Sequence, residues 1–383
     1  MGEDLGGRES ETGGGEDHRS VHFAMKIVFF GETRHPNSTF WMDDLCSLFG
    51  LEVHAVDYEV PPLPNASIRQ HLLPTRAPGR ARYFLSTGSL RALINQIQPD
   101  LVLAQRVTSY GFVAAWAGVR PLVLSAQSQN IVADDTLPGT RFCATYALRR
   151  ADLIHAFAEH MAHAMQRLGA DPGRIRVLPT GVRTDIFRPG SDLERGLKIL
   201  SSRQLRRFYR IDLLVRGLAE VRALGVPAEL WIAGEGPERP NLERLSRQLG
   251  CASAVRFLGR LAMEDLAAVY GQASVYASMA PTDGVSASLL EAMSSGLIPV
   301  VVDNGPNRLW IESGRNGLLV PAEDVHAMAR ALVEALSDRG VSTGTRVRNR
   351  ELMIGKADRK TNLGKMVEWW RELAERYEKE KLR

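Results

Sequence analysis

Residues 280–302 read APTDGVSASLLEAMSSGLIPVVV: a strand end, a small-residue turn, a helix with serines 286 and 288 in its first turn, and, past Gly296, a second apolar strand. A helix that leaves one strand and returns the chain to another is the unit from which parallel sheets are built. Free backbone N–H groups at the helix start, from Gly284 through Val285 and Ser286 to Ala287, and the positive end of the helix dipole make a seat for a phosphate. Asp283 stands just before the helix and Glu291 one turn inside it. Carboxylates so placed flank a bound anion and accept hydrogen bonds from hydroxyls; the same pair also reads as an N-cap and a buried helix acid.

Outward from this stretch the alternation repeats in both directions. Strands are expected near 25–30, 51–57, 101–104, 121–125, 153–155 and 175–178, with helical patterns near 40–49, 87–97, 109–117, 138–149 and 158–168. A Gly- and Pro-rich break at 179–190 interrupts the series. It restarts with strands near 197–200, 228–233, 255–257 and 274–276 and helices near 211–223, 238–249 and 263–271. The expected organisation is a disordered tail over 1–22, a domain over 23–180, a linker over 181–195, a second domain over 196–340, and C-terminal helices over 341–383. The last of these carries Trp369 and Trp370 on an otherwise polar surface and is expected to dock back on the first domain. Two such α/β domains in series place a ligand cleft at the carboxyl ends of their sheets.

Composition agrees with a soluble two-domain protein: 383 residues, 44% hydrophobic and 24% charged, with a net charge of +4. Cys46, Cys143 and Cys251 lie far apart, which argues against a disulfide scaffold or a structural zinc site and suits a cytoplasmic setting. The first twenty residues lack the apolar core of a secretory signal. Between Val60 and Pro99 stand Arg69, Arg76, Arg80, Arg82 and Arg91 without a carboxylate. This stretch reads either as a solvated basic loop or, with its interleaved leucines and aromatics, as a contact for phosphates or an anionic membrane.

The 280–302 segment resembles the donor-site motif of the retaining family-four glycosyltransferases, whose pattern is E-G-F-G-x-x-x-L-E-A-M-A-x-G-x-P-V. Gly284, Leu290-Glu-Ala-Met293, Gly296 and Pro299-Val300 match, while Asp283 replaces the first Glu and Val285-Ser286 the aromatic-glycine pair. Residues 178–187 (LPTGVRTDIF) resemble the family's interdomain P-x-G-V-D-x-x-x-F, with Arg183 where Asp is usual. Residues 233–239 (AGEGPER), with Gly234 and Gly236, resemble its G-x-G-P-x-R turn, and 316–321 (NGLLVP) its N-G-L-L-V.

The resemblance implies the GT-B fold, two facing Rossmann-like domains of doubly wound parallel sheet, with acceptor bound by the first and nucleoside diphosphate sugar by the second. It implies a retaining transfer to a glycan, lipid-linked or other acceptor, with no nucleic-acid partner. Family members place an Arg and, five residues on, a Lys against the diphosphate. Arg203 fits the first, whereas the second falls near Phe208-Tyr209, leaving Arg207 and Arg210 as nearby cations. These arginines also read as a solvated helix start. No metal-binding DxD cluster occurs, so no metal and no cofactor beyond the donor are expected.

Asp283 and Glu291 complete the expected catalytic set with Arg203. On the first domain the loop GETRHPN (31–37), with Gly31, Glu32 and His35, and the segment from Gln127 to Asn130 are the acceptor candidates. A sugar-nucleotide epimerase of the same fold and a non-catalytic nucleotide-sugar- or glycan-binding relative remain as alternatives. A peripheral place on the inner face of a membrane is a further expectation.

Overall fold

The computed structural model describes residues 25–60, 62–75, 81–126, 138–190, 196–282, 285–337 and 343–383. Two all-parallel sheets organise the chain. The first has the order β3-β2-β1-β4-β5-β6-β7, formed by β1 (Lys26–Phe30), β2 (Glu52–Asp57), β3 (Arg69–Leu72), β4 (Leu101–Gln105), β5 (Leu122–Ala126), β6 (Leu153–Ala156) and β7 (Ile175–Val177). The second has the order β10-β9-β8-β11-β12-β13, from β8 (Lys198–Ser201), β9 (Glu229–Ala233), β10 (Val255–Gly259), β11 (Val275–Ser278), β12 (Ile298–Val302) and β13 (Leu318–Val320). Helices cover the faces of both, so the central strands are apolar runs buried throughout, as in Ile27–Phe30 and Ile298–Val302. Strand order reverses direction between β1 and β4 and again between β8 and β11, and crevices open at the carboxyl ends of strands at such points.

β3 is one of the elements that the sequence pattern did not announce, as are β13 and the helix Val325–Leu336. Arg-Gln-His-Leu has no apolar alternation because this is an edge strand, half in water. It pairs with β2 in the register His54↔Arg69 and Val56↔His71, Arg69 meets Glu52 at 3.1 Å, and the His54 and His71 rings stack. Much of the basic 60–99 stretch is therefore ordered sheet and helix rather than solvated loop. Arg82 lies over the rings of Tyr58 and Tyr83, and Arg91 donates to the Ala117 carbonyl at 2.8 Å. Arg76 and Arg80 lie outside the described residues.

The chain crosses between the two sheets twice, and the crossings bond to each other. Val182 N–H donates to Ala357 C=O at 2.8 Å and Arg359 N–H to Val182 C=O at 2.9 Å. Gly181, at φ 83°, runs so close that a Cβ would stand 2.5 Å from the Ala357 oxygen. Beyond the second crossing, the helix Arg359–Lys381 buries Leu363, Met366, Val367 and Trp370 in the core of the first sheet, with Trp370 6.3 Å from Trp41. Asp44, buried in the helix Pro36–Phe49, accepts from Arg183 at the first crossing (3.2 Å) and from Arg359 at the second. Arg183 also forks onto its neighbour Asp185 at 2.9 and 2.7 Å, so Asp44 is a second carboxylate, 139 residues away.

Removing the shared carboxylate leaves Arg359 without its buried counter-charge, at about 3 kcal/mol. Asp44→Ala should lower the urea midpoint accordingly; an unchanged midpoint would show that the two arginines are satisfied without it.

Candidate active site

At the second reversal, the chain leaves β8 as Ser202-Arg203. The Arg203 guanidinium reaches across to the start of the helix Ala287–Ser294, donating from Nη1 to Ser286 Oγ (2.8 Å) and Ser288 Oγ (2.9 Å). Its other face lies 4.3 Å from the centre of the Tyr209 ring. Ser286 is the N-cap, extended in its own dihedrals and accepting from Leu289 N–H, and Ser288 is fixed further by Tyr276 O–H at 2.8 Å. A guanidinium and a helix N-terminus therefore share one point, and both favour an anion there.

Glu291 lies one turn further along that helix. The phenol of Tyr270, which is fully buried, stands 3.0 Å from both Glu291 Oε2 and the Ser288 carbonyl, and bonds Ser202. Burial pushes the Glu291 carboxyl up to about 7, outweighing the Tyr270 hydrogen bond and the nearby Arg203, which both favour the charged form. Burial likewise holds the Tyr270 phenol well above its ordinary range. Tyr270 was missed in the sequence reading because it ends a helix, Met263–Gln272, with no local motif around it; topology alone brings it to the site.

The glycines of the 233–239 turn are there for close packing. A Cβ on Gly234 would stand 2.2 Å from the Arg203 carbonyl oxygen, and one on Gly236 2.3 Å from that of Leu205. Val285 packs on hydrophobic residues of both sheets' cores, so the donor-side turn touches the first domain, and Ala287 is exposed at the helix start. Asp283 and Gly284 lie outside the described residues.

Arg207 and Arg210 do not join Arg203. Arg207 is exposed near Glu238, and Arg210 is held by Asp212 and Glu323. With Arg206 and Arg244 they line a separate groove of about 650 Å³ against the helices Ile211–Ala223 and Arg239–Gln248.

Across the cleft side of the first sheet, Gly31 admits the Gln105 side chain, which a Cβ would meet at 2.8 Å. Glu32 pairs with Arg106, and the pKa of His35 is lowered by burial. Asp57, at the end of β2, is the residue that the sequence reading overlooked. Its buried carboxylate accepts from Thr33 N–H (2.9 Å), Tyr58 N–H (2.6 Å) and Tyr110 O–H (2.8 Å), and so ties together the loops after β1, β2 and β4. Gln127 and Asn130 lie outside the described residues.

Two parallel-sheet Rossmann-like domains, with a cationic helix terminus at the second sheet's reversal, define a GT-B protein. The chain matches the Glycosyltransferase Family 4 model over residues 49–186 and the Glycosyl transferases group 1 model over 197–338. It belongs to the family-four GT-B glycosyltransferases. A GDP-mannose-dependent alpha-(1-6)-phosphatidylinositol monomannoside mannosyltransferase of Mycolicibacterium smegmatis is 28% identical over 250 residues, 60% of this chain and 64% of that protein. A D-inositol 3-phosphate glycosyltransferase of Corynebacterium urealyticum is 30% identical over 57% of each chain. The chain thus spans about three fifths of the length of these curated relatives. Among solved structures, Anabaena Alr3699/HepE in complex with UDP superposes with a TM-score of 0.78 at 17% identity, covering 91% of this chain and all of that one.

The raised Glu291 carboxyl carries a stability consequence with a definite sign. Below about pH 4.5 it is protonated both folded and unfolded; between about 4.5 and 7 the unfolded chain ionises first, and stability is lost. Glu291→Gln should therefore match the parent's thermal midpoint near pH 4 and exceed it at pH 8. Equal midpoints at both would contradict the raised value.

Proposed function

We propose that the chain is a retaining, metal-independent glycosyltransferase, cytoplasmic, that passes a sugar from a nucleoside diphosphate sugar on the second domain to a glycan, lipid-linked or other glycoconjugate acceptor on the first. The observation that carries this reading is the meeting of Arg203 with the N-terminus of the helix Ala287–Ser294. Charge develops on a departing diphosphate, and a fixed guanidinium with an oriented helix end stabilises it without reorganisation. The GDP-mannose-dependent relative and the structural neighbour in complex with UDP support a nucleoside diphosphate donor.

In this reading Glu291, one turn along the helix, accepts hydrogen bonds from the ribose hydroxyls. Asp283 is assigned to the sugar by the resemblance alone. In the proposed retaining chemistry the acceptor oxygen attacks the anomeric carbon on the face that the diphosphate leaves. Its proton passes to a donor phosphate oxygen, so no side-chain base is required. The network around Asp57 fixes the loops of the acceptor side.

Calorimetric titration with nucleoside diphosphates and steady-state kinetics test the two roles separately. Glu291→Ala should abolish most donor binding, and unchanged affinity would sink its assignment. Arg203→Ala should lower kcat by about 100-fold, the size of losing one donor to a developing anion; a loss confined to acceptor KM would contradict its role. Turnover should persist in EDTA, and a loss restored by magnesium would refute metal independence.

A further inference from the structure

Five exposed large apolar side chains gather on one side of the first domain: Leu72 (60% exposed), Phe84 (49%), Leu85 (73%), Trp116 (43%) and Phe142 (54%). Three of them form one aromatic patch contributed by the helices Ala81–Leu85, Tyr110–Trp116 and Pro138–Arg150. Phe84, Trp116 and Phe142 all rest on buried Phe112, with ring centres 5.2, 5.6 and 6.3 Å from it, and Tyr146 lies 5.0 Å from Trp116. A contiguous exposed aromatic surface marks a site of interaction, because isolated folding gains nothing from it.

Charge indicates the occupant. These three helices and the neighbouring Thr87–Ile97 contain five arginines and no Asp or Glu. Arg82 and Arg91 are turned onto internal partners, as described above. Arg141, Arg149 and Arg150 stand exposed on the helix that also carries Phe142 and Tyr146, with the Arg150 guanidinium 5.0 Å from the Tyr146 ring centre. Rings with one apolar and one wet side, bordered by exposed arginines on helices that themselves carry no carboxylate, suit the boundary between anionic headgroups and hydrocarbon.

We propose that this face docks on an anionic lipid bilayer. Next to it, a groove of about 700 Å³ runs between Leu72, Leu73 and Leu85 to Tyr58, the residue after β2. A docked domain would thus present the carboxyl edge of its sheet to a headgroup projecting from the membrane. That last step rests on the acceptor reading given under the proposed function; the docking itself does not.

The test uses the full chain and phosphatidylcholine vesicles with and without phosphatidylglycerol. Co-sedimentation should require phosphatidylglycerol and weaken as salt rises. Bromine-labelled lipid should quench tryptophan fluorescence, and Trp116→Phe should remove most of that quenching. Replacing Arg141, Arg149 and Arg150 with Ser should weaken partition by about 100-fold, and Phe142→Ser, an exposed change, should weaken it independently. Nucleoside diphosphate titration of each variant should match the parent, which separates failure of docking from failure of the donor site. Equal recovery with neutral and anionic vesicles, or with neither, overturns the proposal. So does a concentration-dependent dimer that Phe142→Ser dissociates, since a second copy would then cover the patch.

Discussion

The Arg203 guanidinium ties the end of β8 to the start of the helix Ala287–Ser294, and the rest of the donor side is arranged around that tie. It joins two segments more than eighty residues apart, exactly where the sheet changes direction. Ser286 and Ser288 serve both the helix cap and the arginine, Tyr209 covers the guanidinium, and Tyr270 links Ser202, Ser288 and Glu291 behind it. Each of these side chains has a neutral partner within the network. The guanidinium and the helix terminus both favour an anion at this point.

A donor site on one sheet requires a hinge that keeps the other sheet opposite it. Here two crossing segments pair backbone to backbone, and Asp44 gathers an arginine from each. Arg350 adds a fork to the carbonyls of Thr184 and Phe187 and to Ser294, at the far end of the donor-side helix. The helix that carries Glu291 is therefore anchored to the interdomain crossing at its C-terminus and to β8 at its N-terminus.

The parallel architecture was legible because central strands buried on both faces are written as apolar runs, and 280–302 holds, in local order, the helix and the returning strand of one strand–helix–strand passage. Arg203 was singled out by its resemblance to the family's arginine just past a strand, and the structure sets it two residues beyond β8. What sequence left unread depends on distance along the chain or on exposure. Tyr270 and Asp57 reach their partners only through the fold. Arg183, which stands where the family usually has Asp, is held by Asp185 and by the distant Asp44, and β3 escaped because an edge strand of Arg, Gln and His carries no apolar signal. Arg207 and Arg210 illustrate the converse: close to Arg203 in sequence, they pair with Glu238, Asp212 and Glu323 and line a groove with Arg206 and Arg244.

The central claim is that the donor diphosphate is seated on Arg203 and the N-terminus of the helix Ala287–Ser294. A crystal structure with a bound nucleoside diphosphate tests it most directly. The account predicts the diphosphate oxygens within hydrogen-bond distance of the Arg203 guanidinium and the first amides of that helix, with the ribose hydroxyls on Glu291. A diphosphate lodged among Arg206, Arg207, Arg210 and Arg244, with Arg203 still on its serines and the helix terminus untouched, would contradict it.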